Sequence, residues 1–150
     1  MKVCVLMPTY NEMGPLTQTV EAVVQVAPDL DLLIIDDNSP DGTGDLADLL
    51  ANKHPQLRVL HRQAKQGLGR AYIAGFEWAI ENGYDFIVQM DADGSHRSQD
   101  LVKLIEASTK ADLVIGSRRV RGGAVENWAW HRVALSRLGN LYARTLLGTG

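Results

Sequence analysis

The sequence predicts an α/β protein: a mostly parallel sheet with helices on both faces. Three observations carry that expectation. Short apolar runs of strand length alternate with stretches whose apolar residues recur at helical spacing. The alternation fills all 150 residues as one domain, with no repeat, linker or low-complexity segment. A hydrophobic content of 45% is enough to build a core. Strands joined through helices make βαβ units, and these lie parallel.

The elements follow in order. Lys2–Met7 is β-branched and apolar, closed by Pro8, and predicts a buried strand. Leu16, Val20, Val23 and Val24 recur at helical spacing up to Val26, with Pro28-Asp29 as the stop. Leu32–Ile35 is a second strand, leaving through the turn formers Asp36-Asp37-Asn38-Ser39-Pro40-Asp41-Gly42-Thr43. Asp41 or Thr43 is the expected cap of the next helix, which ends near Lys53-His54-Pro55. Leu57–Leu60 is a third strand, and Gly67-Leu68-Gly69 opens a helix closed by Asn82-Gly83. Phe86–Met90 is the fourth strand and Gln99–Thr109 a helix. Leu113–Ile115 is expected as a fifth strand, and a final helix runs from about Trp128 to Leu147.

Chemistry concentrates at the strand exits. In parallel sheets ligands bind beyond the carboxyl ends of the strands, and there the chain places Glu12, Asp36/Asp37 and Asp91/Asp93. Asp91-Ala92-Asp93 is the sharpest signal. On extended backbone, residues two apart face one side, so both carboxylates can approach one ion. One or two protein carboxylates suit Mg²⁺ or Mn²⁺, which share their shell with substrate phosphates. A capped turn, with Asp93-Gly94 as the turn itself, is the plain alternative. His96, a lone loop histidine, stays outside the ligand set.

The other motifs have two readings each. Pro8-Thr9-Tyr10-Asn11-Glu12 offers Tyr10 to a base or ribose and Glu12 as an acceptor, yet Thr9 and Glu12 also have the spacing of a helix N-terminal box. Asp36 and Asp37 could hold ribose hydroxyls or a metal, or only make a turn. Gly67-Leu68-Gly69-Arg70 could bring backbone N–H groups to a phosphate, or simply enter a helix. It is neither G-x-G-x-x-G nor a Walker loop.

The net charge of −3 is unevenly spread: residues 1–110 carry −7 and residues 111–150 carry +4. A basic segment beside an acidic body points to an anionic partner, or to a solvated helix face. Arg118, Arg119 and Arg121 follow Gly116-Ser117, and Arg132, Ser136, Asn140 and Arg144 step by four along the final helix. Guanidinium forks and a hydroxyl suit a phosphate, and Trp128 and Trp130 suit a membrane interface. Leu135, Leu138, Tyr142 and Leu146 would let the same helix pack as an ordinary surface helix. No apolar run approaches the roughly 18 residues of a membrane span, and the N-terminus opens on a strand rather than a signal peptide. The single cysteine, Cys4, lies in an apolar run and permits no disulfide within the chain, in keeping with a reducing, cytoplasmic setting.

Taken in order, Pro8-Thr-Tyr-Asn-Glu12, Ile35-Asp-Asp-Asn-Ser-Pro-Asp-Gly-Thr43, Gly67-Leu-Gly69, Met90-Asp-Ala-Asp-Gly-Ser-His96, Gly116-Ser-Arg118 and the Trp128…Arg132…Ser136…Arg144 helix resemble the inverting GT-A glycosyltransferases of family 2. More narrowly they resemble the polyprenyl-phosphate (dolichol-phosphate) mannose synthases. The resemblance implies a GT-A-type, Rossmann-like sheet and a nucleotide-sugar-binding catalytic domain over residues 1–150, cut short of the family's usual length. It implies that Pro8, Tyr10, Glu12, Asp37, Asp91 and Ala92 hold the nucleotide of GDP-mannose. Asp91 and Asp93 would engage Mg²⁺ or Mn²⁺ and the diphosphate, and Arg118, Arg132 and Ser136 the phosphate of a polyprenyl monophosphate. Where some relatives carry Gln two residues after the second aspartate, this chain has Ser95. The expected setting is peripheral, at the cytoplasmic side of a membrane surface, with no nucleic acid among the partners. Another nucleotide sugar such as UDP-glucose, a saccharide acceptor, or a nucleotide-binding module without chemistry are the alternatives. The missing G-x-G-x-x-G after the first strand speaks against a dinucleotide domain.

Overall fold

The computed structural model describes residues 1–117, 139, 142, 145 and 146. Met1–Val114 forms one compact unit and Ile115–Gly150 a second. In the first, four strands alternate with four helices: β1 (Val3–Thr9), α1 (Met13–Val26), β2 (Asp31–Asp36), α2 (Thr43–Lys53), β3 (Leu57–His61), α3 (Leu68–Glu81), β4 (Phe86–Gln89) and α4 (Ser98–Ser108). The sheet order is β3-β2-β1-β4, with every pairing parallel.

Strand alternation divides the core into two layers. Val5 and Met7 point to the face where Leu16, Val20 and Val23 of α1, Ala47 and Leu50 of α2 and Leu101 of α4 pack. Cys4 and Leu6 point to the opposite face, covered by α3 through Ala71, Tyr72 and Phe76. Burial raises the Cys4 thiol pKa to about 12, so it stays an inert, protonated core residue. Gly75 explains how closely α3 approaches the sheet: a Cβ there would lie 2.5 Å from Ile35 Cδ1 and 2.9 Å from Leu6 Cδ1. Gly75→Val is therefore expected to lower the unfolding free energy by about 1–3 kcal/mol, through overpacking. Urea denaturation measures this, and an unshifted midpoint would mean that the sheet yields.

Three expectations change. Leu113–Ile115 is no strand: Leu113 and Ile115 are each 76% exposed, and no ladder among the described residues extends the sheet past β4. An apolar run becomes a strand only where a neighbour takes its backbone donors and acceptors. Neither Asp41 nor Thr43 is the cap of α2; Gly42 takes that place at φ 90°, and the Asp41 carboxylate accepts the Thr43 N–H at 3.0 Å instead. Thr9 belongs to β1 and its hydroxyl donates to Asp36, so Thr9 and Glu12 form no helix N-terminal box. The Asn82-Gly83 stop appears as expected. Gly83, at φ 69°, donates to the Ile80 carbonyl, while Tyr84 donates to that of Ala79, which closes α3 in a Schellman motif.

Most of the segment expected as the final helix lies outside the described residues; Gly139, Tyr142, Thr145 and Leu146 are helical. Tyr142 and Leu146, candidates for its packing face, are exposed. Among the described residues no helix is long and apolar enough to cross a membrane.

Candidate functional site

The strand order creates the site. β1 lies between β2 and β4, so the carboxyl ends of all three parallel strands meet at one rim, with α1 leaving β1 on one face and α3 covering the other. A cavity of about 270 Å³ lies there. Pro8, Tyr10 and Glu12 reach it from the β1 exit and Asp37 from the β2 exit. Asp91, Ala92 and Asp93 reach it from the β4 exit, and Lys65, Gly67 and Leu68 from the entry to α3. Seven of the sequence-derived candidates thus share one cavity. Arg118, Arg132 and Ser136 lie outside the described residues, as do Arg119, Arg121, Trp128 and Trp130. Gly116 and Ser117 are exposed and in no regular element.

The β1 exit is held by the turn formers after β2. Asn11 takes the left-handed conformation, φ 61°, between Tyr10 and Glu12. The backbone N–H groups that begin α1 lack acceptors within the helix. Asn11 donates instead to the Ser39 hydroxyl at 3.1 Å, Glu12 to Thr43 Oγ1 at 3.0 Å and Met13 to Asp41 Oδ2 at 3.3 Å. The run Ser39-Pro-Asp-Gly-Thr43 therefore positions the turn that carries Tyr10 and Glu12.

The two aspartates after β2 separate cleanly. Asp36 is structural: it accepts the Thr9 hydroxyl at 3.0 Å, and the Ser39 N–H and hydroxyl at 3.0 and 2.6 Å. Asp37 lines the cavity and is ion-paired to Arg62, their side chains only 6% and 12% exposed. Register explains the pair. Asp36 stands beside His61 in the β2–β3 ladder, so the next residues of both strands meet at the exit.

At the β4 exit the strand ends at Gln89, and Ala92-Asp93 is a turn rather than extended backbone. The side chains still divide as the spacing anticipated. Ala92 is buried in the core, its carbonyl accepting the Thr19 hydroxyl at 3.0 Å, while Asp91 and Asp93 face the cavity. Asp93 accepts the Ser95 N–H at 2.8 Å. Slight desolvation works against ionisation, but Ser95 and the neighbouring His96 hold the carboxyl below its ordinary range. His96 Nε2 lies 3.2 Å from Asp91 Oδ2, so this histidine is tied to the site and does not simply face solvent. Tyr72 meets Asp91 from α3. Burial, then the charge and hydrogen bond of Asp91, push its hydroxyl up to about 12.

Glu12 senses the other acids of the rim. Burial first, then the charges of Asp93, Asp41 and Asp91, raise the carboxyl of Glu12 above its ordinary value. Clustered carboxylates of this kind, hard oxygen donors on one cavity, fit a divalent cation. Among the described residues no three His, Cys, Asp or Glu side chains converge as a ready-made cage. A cation that keeps open positions for substrate oxygens needs none.

Four contributors escaped the sequence reading. Arg62 and Tyr72 act through contacts between elements distant in the chain. Thr19 is one of many polar residues on a helix. Lys65 had a local signal, a lone base two residues before Gly67, which the glycines overshadowed.

The pattern of glycosyl transferase family 2 matches residues 4–149. An undecaprenyl-phosphate mannosyltransferase of Micrococcus luteus is 53% identical over 148 residues, 99% of this chain and 61% of that protein. A polyprenol monophosphomannose synthase of Mycolicibacterium smegmatis is 51% identical, over 97% of this chain and 56% of that protein. A dolichol-phosphate mannosyltransferase of Pyrococcus furiosus is 40% identical, over 91% and 39%. The chain spans about three-fifths or less of the length of these relatives. Among solved structures, the mannosyltransferase PcManGT from Pyrobaculum calidifontis, in complex with GDP-Man and Mn²⁺, superposes with TM-score 0.64 at 23% identity. The match covers 73% of this chain and 32% of that one. S. aureus TarS 1–349 gives 0.61 at 19% identity, over 73% and 33%. These likenesses speak for the fold alone, and that fold is GT-A. With the family pattern running along almost the whole chain and relatives at 40–53% identity, this chain belongs to glycosyl transferase family 2.

Proposed function

We propose that this chain binds GDP-mannose for an inverting, metal-dependent transfer of mannose to a polyprenyl monophosphate, working peripherally at the cytoplasmic side of a membrane. One observation carries the reading: Glu12, Asp91 and Asp93 line one cavity at the β1 and β4 exits, close enough that, after burial, the charges of Asp93 and Asp91 help raise the carboxyl of Glu12. Relatives named for mannosyl transfer to undecaprenyl, polyprenol and dolichol phosphates support the choice of sugar and acceptor.

Pro8, Tyr10, Glu12, Asp37 and Ala92 hold the nucleotide, and Asp91 and Asp93 are the residues that would hold Mg²⁺ or Mn²⁺. When bound, the cation supplies Lewis-acid stabilisation of the charge that develops on departing GDP. The acceptor phosphate is already anionic near neutral pH, so its oxygen attacks the anomeric carbon without a strong base. The new C–O bond forms as the bond to the diphosphate breaks, and the electron pair leaves with GDP. Attack from the opposite face inverts the anomeric centre. Arg118, Arg132 and Ser136 receive the acceptor phosphate and offset the repulsion between two anions.

Calorimetric titration of GDP-mannose and UDP-glucose, each with Mn²⁺ and with EDTA, tests the donor. GDP-mannose is expected to bind at least about tenfold more tightly than UDP-glucose, and to lose at least about tenfold in EDTA. Preference for UDP-glucose, or binding indifferent to EDTA, would overturn the donor or the metal.

A further inference from the structure

Among the described residues, the cavity is lined by one cationic side chain that this reading leaves unused. Lys65 sets its ammonium 3.7 Å from the centroid of the Tyr10 ring, and both residues line the cavity. Lys65 is exposed, so burial does not fix it there; the π face of Tyr10 does. Its loop is anchored at both ends. Arg62 is bound to Asp37, to Gln66 at 3.0 Å and, through its N–H, to the Asp36 carbonyl at 2.8 Å. Gly67 takes φ 92° where α3 begins, its carbonyl accepting the N–H groups of Arg70 and Ala71.

Charge decides what such an ammonium is for. Of the described residues lining the cavity, four are acids, Glu12, Asp37, Asp91 and Asp93, and Lys65 is the one base. Arg62 answers Asp37, which leaves three carboxylates in a place proposed to receive an anion. Within a nucleotide sugar, the hexose and the base are neutral, and the diphosphate carries the charge. A flexible, compact point charge suits phosphate oxygens, which need no planar fork.

We propose that Lys65 is a donor-binding residue whose ammonium pairs with the diphosphate of the nucleotide sugar, with Tyr10 keeping it poised in the cavity. This deepens the donor-binding reading and rests on it.

The test titrates GDP with Mn²⁺ into the full-length wild type, Lys65→Met and Lys65→Arg. Methionine keeps a long apolar stem without charge, and arginine keeps the charge. Lys65→Met is expected to weaken GDP binding about tenfold, as for loss of a hydrogen bond to a charged group, while Lys65→Arg stays within about threefold of wild type. Unchanged affinity in Lys65→Met would overturn the proposal, as would equal losses in both variants, because charge would then not be the determinant. If the wild type binds UDP in place of GDP, the mannose-donor reading fails while the same variants titrated with UDP still decide Lys65. Binding of neither nucleotide sinks both.

Discussion

Replacing Asp91 or Asp93 with alanine is expected to slow the proposed mannosyl transfer at least about 100-fold, a loss of roughly 2.7 kcal/mol in the barrier. Both carboxylates face the cavity, and neither side chain belongs to the buried core clusters. Asp91 is half-exposed, Asp93 is exposed, and the buried residue of the triplet is Ala92. Truncation should therefore leave the thermal midpoint nearly unchanged, as surface substitutions usually do. Loss of rate with retained stability separates a role in chemistry from a role in folding. The two variants should also lose the Mn²⁺ dependence of GDP-mannose binding, since each removes a hard oxygen donor from the cation. Near-normal turnover of either variant at saturating donor and metal would reject the metal assignment for that residue.

How much of this was legible before the structure depends on which contacts are local. Strands β1, β2 and β3 announced themselves because apolar, β-branched runs ended at turn formers. With the helices between them, they fixed a parallel sheet whose exits face one rim. That rim gathers Tyr10, Glu12, Asp37, Asp91 and Asp93, so the candidate site followed from topology and motif together. What failed depended on partners that spacing cannot name. Leu113–Ile115 has the composition of a strand but no ladder among the described residues. Thr9 and Glu12 have the spacing of a capping box, but β1 runs through Thr9 and its hydroxyl turns to Asp36. Asp36 and Asp37 look alike in the sequence. Only the arrival of Ser39 at one and Arg62 at the other shows which makes the turn and which faces the cavity.

Arg62→Met is expected to cost about 3 kcal/mol of stability. It strips the partner from Asp37, a carboxylate whose side chain is only 6% exposed. The cost is mostly that of the stranded charge rather than the net worth of the pair, which gives the prediction its second arm. Replacing both members, Arg62→Met with Asp37→Leu, removes the charge along with its partner and should recover most of the loss. Chemical denaturation of the two single variants and the double variant closes the cycle, and a coupling below about 0.5 kcal/mol would show the two sites to be independent. Donor binding should follow a different order. The double variant regains its fold but keeps neither the Asp37 carboxylate on the cavity nor the Arg62 anchor of the Lys65 loop, so its affinity for GDP should remain low. A double variant that recovered both stability and GDP affinity would show that Asp37 serves the fold alone and would remove it from the proposed donor site.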